Sequence, residues 1–195
     1  MRNAFEVHFP LKRLVSSVIS VDARLIMSSE WKFVPFTYPM TLDFLPNFVL
    51  VGSPAPESGN VLLIPLAGHE IGHSAWRQHN IAAKITPIIV AEINTICSTT
   101  TSNSVIDKIR SENKLQVFSN FILEYALKQA EEIFCDYFGL YVFGMSYVYA
   151  FDYLIFPGGG IRSPYYPSTI QRLSFLKQGC ENLKLNSNSE IFSGW

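Results

Sequence analysis

Two histidines separated by one helical turn constrain this chain more than any other feature. The sequence reads His69-Glu70-Ile71-Gly72-His73. Residues at this spacing lie on one face of a helix, so both imidazoles can bind the same metal ion. Two imidazoles suit zinc, and a catalytic zinc keeps one position open for water. Glu70 is placed to act as the base on that water. The spacing therefore predicts a zinc-binding helix, against the alternative of an ordinary helix that carries two histidines.

A catalytic zinc needs a third protein ligand, and a second motif supplies a candidate. Glu132 and Asp136 are four residues apart and so share a helix face. We expect Glu132 to bind the metal and Asp136 to accept the N–H of a ligating imidazole, which fixes the orientation of that ring. Apolar neighbours place this face in the core, where the metal and the imidazole are the partners that buried carboxylates require. Glu131 faces another side, so we expect a solvated charge whose removal leaves zinc affinity nearly unchanged.

Two other residues compete for the position of third ligand. His79 follows His73 by six residues, which is the spacing of the metzincin pattern H-E-x-x-H-x-x-G-x-x-H. Trp76 stands where that pattern has the glycine that lets the chain turn out of the helix. On a continuing helix His79 would point away from the other histidines, so we interpret it as an exposed side chain. Cys135 could bind zinc as a thiolate, but we favour its interpretation as a small buried apolar residue.

The composition is that of one globular domain. Of the 195 residues, 48% are hydrophobic and 16% are charged, which is enough apolar material for a sizeable core. We divide the chain into an N-terminal helix or arm over about 1–45, a catalytic core over about 46–180 and a C-terminal tail over about 181–195. The sequence after Met1 reads as the middle of a domain, which leaves open a natural start further upstream.

Charge and cysteine usage exclude one class of partner and indicate a compartment. The formal net charge of -1 gives no electrostatic footprint for nucleic acid. Cys97, Cys135 and Cys180 are widely spaced, odd in number and without a C-x-x-C pair, which fits a reducing compartment rather than a disulfide framework. The apolar run over residues 14–19 is short and broken by serines, so we predict no signal peptide. We therefore expect a cytoplasmic protein.

Apolar periodicity and turn residues predict an α+β fold that is mainly α-helical, with a small sheet. The predicted helices, with approximate bounds, are 11–27, 65–78, 81–96 with an interruption near Pro87, 105–144 and one near Leu173. The predicted strand is Phe48–Val51. No residue between Asp136 and Asp152 is charged, but these fifteen residues are fewer than the roughly twenty that a membrane span needs. We therefore favour a buried core helix there over membrane association.

The block H-E-x-G-H followed by E-x-x-x-D resembles the gluzincin metallopeptidases, which include thermolysin-like, HtpX-like and CAAX-protease-like peptidases. The latter two groups often end with a segment of the type H-P-[S/T]-x-x-x-R. In the corresponding place this chain has Tyr166-Pro167-Ser168-Thr169-Ile170-Gln171-Arg172. The match covers three short blocks in the same order, and the rest of the chain is not visibly similar. The chain also lacks the obvious membrane spans of those families.

The resemblance implies a zincin-like domain with a motif helix, a second ligand-bearing helix and a small sheet. Carried over by position, its zinc ligands are His69, His73 and Glu132. Glu70 is then the base, and Asp136 orients a ligand imidazole. The resemblance also implies that the predicted strand before the motif helix pairs with an extended peptide substrate, which gives main-chain affinity with little sequence selectivity. The alternative is an ordinary core strand.

The third block contributes two further candidates. Tyr166 stands where the related families usually have histidine, and we favour it as the group that stabilises the oxyanion of a tetrahedral intermediate. Arg172 follows on a helix, where it can pair with a carboxylate and hold the motif helices together.

These inferences predict an intracellular zinc-dependent peptidase that acts on a peptide or protein substrate. One alternative is a zincin scaffold that binds zinc and works as a binding or regulatory module, although such a scaffold has no need of Glu70. A weaker alternative is a zinc hydrolase of a non-peptide substrate. No specificity pocket can be recognised, so neither the substrate nor the oligomeric state follows from the sequence.

Overall fold

The structure is a computed structural model that describes residues 4–30, 47–54, 60–99, 115–155 and 165–185. Its helices are α1 (Ala4–Val18), a 3-10 helix (Val61–Leu66), α2 (Ala67–Gln78), α3 (Ile81–Thr99), α4 (Leu115–Phe143), α5 (Met145–Leu154) and α6 (Thr169–Asn182). Its strands are β1 (Arg24–Glu30) and β2 (Phe48–Pro54), which form a two-stranded parallel sheet. The predicted class, mainly α-helical with a small sheet, is confirmed for the described residues.

The first helix is shorter than the sequence predicted. The helix predicted over 11–27 is wrong beyond Val18, where α1 ends, because Arg24–Glu30 is a strand. The turn between the two elements is held locally, since Ser20 Oγ accepts a hydrogen bond from the amide of Asp22. β1 then pairs with β2, which lies later in the chain, so that Arg24 is the partner of Phe48. Such pairing is not visible in local periodicity, so the apolar residues of β1 were read as part of the helix.

The elements that lead into the motif follow the prediction closely. The strand Phe48–Val51 is confirmed and continues to Pro54. The motif helix ends at Gln78, as predicted, but Pro65 lies in the preceding 3-10 helix and α2 begins at Ala67. A proline is tolerated in this position because the first turns of a helix leave backbone N–H groups without helical partners.

Two glycines let the motif helix touch α4 backbone to backbone. A Cβ added at Gly68 would lie 2.9 Å from Gly139 Cα, and one added at Gly72 would lie 2.9 Å from Cys135 Cα. Neither distance leaves room for a side chain. The close approach brings the two motif histidines of α2 within reach of the carboxylates on α4.

Two apolar clusters hold these helices in place. In the first, α1 and the sheet pack against α2 through buried residues that include Val15, Val49 and Ile71. In the second, the 3-10 helix, α5 and α6 pack around the end of α4. The two clusters therefore support α2 and α4, and the candidate site lies at the contact between these helices.

The helices after the motif depart from the prediction at one point. α3 runs through Pro87 without the predicted interruption. Proline removes the hydrogen bond to the carbonyl of Ala83, but Ala83 is exposed, so water can bind that carbonyl instead. Residues 105–114 of the predicted long helix lie outside the described residues. The helix predicted near Leu173 is confirmed as α6.

The uncharged stretch between Asp136 and Asp152 forms the end of α4 and most of α5, with a break at Gly144, whose φ is 57°. Its buried residues are Gly139, Leu140, Tyr147, Val148, Ala150 and Phe151. The prediction of a core segment is therefore confirmed.

A different helix has the length and composition of a membrane span. Within the described residues, α3 alone passes this test, with 19 residues and a mean hydropathy of 1.4. Only 11% of its apolar window is buried in the structure. One such helix is weak evidence for a span, and the sequence prediction had considered the stretch after Asp136 instead.

Candidate metal centre

The two motif histidines turn one nitrogen each towards the same carboxylate. His69 Nε2 lies 3.4 Å from one oxygen of Glu132, and His73 Nε2 lies 3.6 Å from the other. The imidazole centroids are 5.0 Å apart and the ring planes are nearly perpendicular. The three side chains are nearly buried. The structure thus brings together the three residues that the sequence predicted as ligands.

The other nitrogen of each ring is held by a second carboxylate. His69 Nδ1 donates to Asp136 Oδ1 at 2.9 Å, and His73 Nδ1 donates to Glu131 Oε1 at 2.9 Å. An ionised carboxylate can only accept, so each Nδ1 carries a proton, and in the neutral imidazole, the form that binds a metal, each Nε2 then keeps its lone pair. Both lone pairs are therefore available on the side of the rings that faces Glu132.

One of these two contacts was predicted and the other was not. The contact between Asp136 and His69 is the one expected from the sequence. The interpretation of Glu131 as a solvated charge is wrong, because this residue is 7% exposed and bonds to His73. Glu131 and Glu132 are adjacent, so their side chains point about 100° apart around α4. Because the rings of His69 and His73 are nearly perpendicular, the two histidines can still contact both of these positions. The apolar neighbours of Glu131 were the signal that its position is buried.

Asp136 connects three helices through its carboxylate and is 1% exposed. Arg172 of α6 donates to it twice, with Nε 2.7 Å from Oδ2 and Nη2 2.7 Å from Oδ1. The hydroxyl of Tyr147 on α5 donates to Oδ1 at 2.6 Å. Burial alone would raise the pKa of Asp136, but the charge and hydrogen bonds of Arg172, together with those of His69, outweigh it and hold the pKa below its usual value. Asp136 therefore orients His69 as a charged carboxylate.

Arg172 makes the carboxylate pairing that was predicted for it. Besides its bonds to Asp136, it lies 3.9 Å from Glu132, and its guanidinium stacks 4.9 Å above the ring of Phe151. It thereby ties α6 to α4 and α5. Tyr147 was missed by sequence reasoning, because it lies on a separate helix beyond Gly144 and no spacing rule links it to the motif.

The electrostatics of the cluster favour a cation between the carboxylates. Burial by itself lowers the pKa of His69, but the hydrogen bonds to Asp136 and Glu132 outweigh it and raise the pKa to about 10. Either a proton on the imidazole or a divalent metal ion can supply the positive charge that this arrangement favours. The donor set of imidazole nitrogens and carboxylate oxygens therefore fits a metal.

Cys135 is a second candidate for the third ligand. His69, His73 and Cys135 have ligand atoms within 4.8 Å of one another, so this buried group can hold a metal ion. The thiol is fully buried where α4 touches Gly72. Burial, followed by the charge of Glu132, raises the pKa of Cys135 well above its usual value. Forming the thiolate that a metal needs is therefore unfavourable in these surroundings.

Glu70 lies at the same site without a hydrogen-bonding partner among the described residues. Its side chain is buried beside the two histidines. Burial raises the pKa of Glu70, and the nearby histidines lower it less than burial raises it. Such a carboxylate binds a proton more readily than one in water.

Tyr166 lies in the segment that leads into the helix of Arg172. It is about half exposed just before α6. Partial burial, followed by the negative charges of Glu132 and Glu70, raises the pKa of its phenol. His79, by contrast, donates to the carbonyl of Val18 at 2.8 Å and takes no part in the cluster.

In comparisons with known proteins, no protein-family model, no curated protein and no solved structure matches this chain. An assignment to the gluzincin peptidases therefore depends on the three sequence blocks and on the geometry of the centre.

Proposed function

We propose that this protein is a zinc-dependent metallopeptidase in which His69, His73 and Glu132 bind the zinc. The observation that carries the proposal is that Nε2 of both histidines faces the Glu132 carboxylate, while Nδ1 of each is held by another carboxylate. Two imidazoles and one glutamate form a common ligand set of catalytic zinc, which leaves one position open. Carboxylate partners at Nδ1 are the usual second partners of zinc-bound histidines.

We assign the third ligand to Glu132 rather than to Cys135. The two oxygens of Glu132 face both Nε2 atoms, which the Nδ1 hydrogen bonds leave as the coordinating atoms. Cys135 fills the space against Gly72, and its surroundings oppose ionisation of the thiol. The buried thiol is better explained as part of the helix contact.

The residues around the ligands supply the remaining parts of peptide hydrolysis. Zinc in such a site supplies Lewis acidity, which makes an adjacent water a stronger acid and polarises a substrate carbonyl. Glu70 takes the proton of the water as its oxygen attacks the carbonyl carbon. When the C–N bond breaks, Glu70 passes that proton to the leaving nitrogen. Tyr166 would donate a hydrogen bond from its hydroxyl to the developing oxyanion.

Glu70 makes no hydrogen bond to the described residues although it is only 6% exposed, and this supports an enzyme over a metal-binding scaffold. Burying an unpaired carboxylate costs stability, and metal binding by the three ligands does not require it. The base role gives Glu70 a reason to lie there. Residues at active sites often carry such a cost because the chemistry needs them.

The test combines metal analysis with hydrolysis of a defined peptide library. We expect one zinc per chain in the purified protein, loss of zinc in His69→Ala, and cleavage of library peptides by the wild type. Glu70→Gln should keep zinc and fold but cleave at least about 1,000-fold more slowly, because the amide cannot take the proton. A Glu70→Gln variant that cleaves at the wild-type rate, or a wild type with zinc but no hydrolysis, would contradict the proposal.

A further inference from the structure

Two aromatic side chains, one of them exposed, lie on the stripe of α4 that carries Glu132. Phe121 and Tyr125 precede Glu132 by eleven and seven residues. At about 100° per residue, these offsets place all three on one stripe of the helix. Phe121 is 54% exposed, and its ring contacts that of Tyr125 with centroids 4.5 Å apart. The stripe therefore begins with an exposed phenylalanine and a partly buried tyrosine and ends at a predicted metal ligand.

The segment before α6 extends this row on its other side. The ring of Tyr165 packs on Tyr125 with centroids 4.8 Å apart, and Tyr165 is itself exposed. This segment leads into α6, whose Arg172 lies 3.9 Å from Glu132. The aromatic surface therefore lies beside α4 and α6, two of the helices that form the metal centre. Exposed apolar patches beside a site commonly bind a ligand.

We propose that Phe121, Tyr125 and Tyr165 form an apolar subsite that selects the peptide substrate of the metal centre. This inference depends on the proposed function. Along a helix of about 1.5 Å rise per residue, Tyr125 lies roughly 10 Å from Glu132 and Phe121 roughly 16 Å. An extended peptide advances about 3.3 Å per residue. The row therefore meets substrate side chains about three to five residues from the bond that is cleaved.

The substrate class follows from the chemistry of the row. Aromatic rings bury apolar surface and prefer edge or offset contacts with other rings. The side chains that fit are bulky and apolar, such as phenylalanine, leucine or tryptophan. The substrate is accordingly an extended peptide segment with such a residue at a fixed distance from the cleaved bond.

The test uses peptides that carry a hydroxamate, which binds zinc independently of hydrolysis. Two series of alanine–serine peptides carry the hydroxamate at either end, with one phenylalanine at each position from the first to the seventh. We expect one series to bind zinc-loaded protein on the order of tenfold more tightly when phenylalanine is at the third to fifth position. Tyr125→Ala should remove this preference, and Tyr125→Phe should retain it.

Tyr141→Ala is the matched control, because Tyr141 is 75% exposed and lies on the opposite side of α4 from Glu132. It should keep the preference, while Tyr165→Ala should weaken it. Hydroxamate binding that depends on His69 but not on the position of phenylalanine would overturn the subsite and leave the zinc centre standing. No zinc-dependent binding of any peptide would overturn both the subsite and the proposed function.

Discussion

The two halves of α4 differ in which side chains they bury, and the pattern is the reverse of that in an ordinary helix. From Val117 to Ala130 no described side chain is buried, although this half is rich in apolar and aromatic residues. From Glu131 to Phe143 the helix is largely enclosed, and this half buries three carboxylates, those of Glu131, Glu132 and Asp136. Folding energy alone favours the opposite arrangement, with apolar residues inside and charges in water.

The difference indicates which part of the helix is shaped by function. Each buried carboxylate has a cationic or imidazole partner, so its burial is compensated by specific contacts rather than by the hydrophobic effect. The exposed half has no comparable compensation within the described residues. We infer that its aromatic residues are compensated by a ligand, as the proposed subsite requires. The predictions below test how firmly the two halves differ.

The largest effect is expected from Asp136→Ala in the buried half. The change leaves the buried Arg172 guanidinium without its double hydrogen bond and removes the acceptor of Tyr147 and His69. Breaking a buried pair in this way typically costs about 3–5 kcal/mol. We expect a loss of that size in the free energy of unfolding, measured in urea on chelator-treated protein. Glu124→Ala, on the exposed half, should change stability by less than about 0.5 kcal/mol.

If Asp136→Ala lowered the free energy of unfolding no more than Glu124→Ala does, the carboxylate network would not stabilise the fold. A fall in stability of Asp136→Ala that is fully restored by Arg172→Met in the same chain would support the assignment, because the second change removes the uncompensated charge.

Spacing rules predicted the site where one helical turn relates its members. His69 and His73, and likewise Glu132 and Asp136, could be paired because residues four apart share a face. The prediction for Glu131 was wrong because the rule counts only residues four apart as sharing a face. The perpendicular rings of His69 and His73 instead contact the adjacent positions Glu131 and Glu132. Tyr147 and the strand β1 were missed because their partners lie on other elements, and contacts between distant segments leave no mark in local periodicity.

An intermediate effect is expected from Glu131→Ala. Removing the acceptor of His73 Nδ1 frees the ring to rotate and lowers the basicity of Nε2, and such losses typically weaken metal binding about 10–100-fold. Competitive chelator titration with zinc measures the change. Glu131→Gln retains an acceptor for the Nδ1 proton and should lose less affinity than Glu131→Ala. If Glu131→Ala left zinc affinity unchanged, as the sequence analysis expected, Glu131 would have no part in orienting His73 for metal binding.

Lys128→Ala is the control for general electrostatics near this position. Its ammonium lies 3.7 Å from the other oxygen of Glu131 but is exposed on the first half of the helix. Exposed ion pairs contribute about 0–1 kcal/mol, so zinc affinity should change less than about fivefold. A larger effect from Lys128→Ala than from Glu131→Ala would mean that net charge, rather than the orientation of His73, controls metal binding.

The smallest effect is expected from Val117→Ser near the start of α4. Val117 is 71% exposed, so replacing it removes little buried apolar surface and creates no cavity. Valine and serine also have similar helix propensities, so propensity adds little. The free energy of unfolding should therefore change by less than about 0.5 kcal/mol, the usual range for surface positions.

A loss above about 1.5 kcal/mol, which is the lower end of the usual value for burying a valine side chain, would show that Val117 is covered in solution. If that loss grew with protein concentration, the covering surface would be a second copy of the chain, since only association makes stability depend on concentration. In either case the contrast between the two halves of α4 would be one of partners rather than of burial.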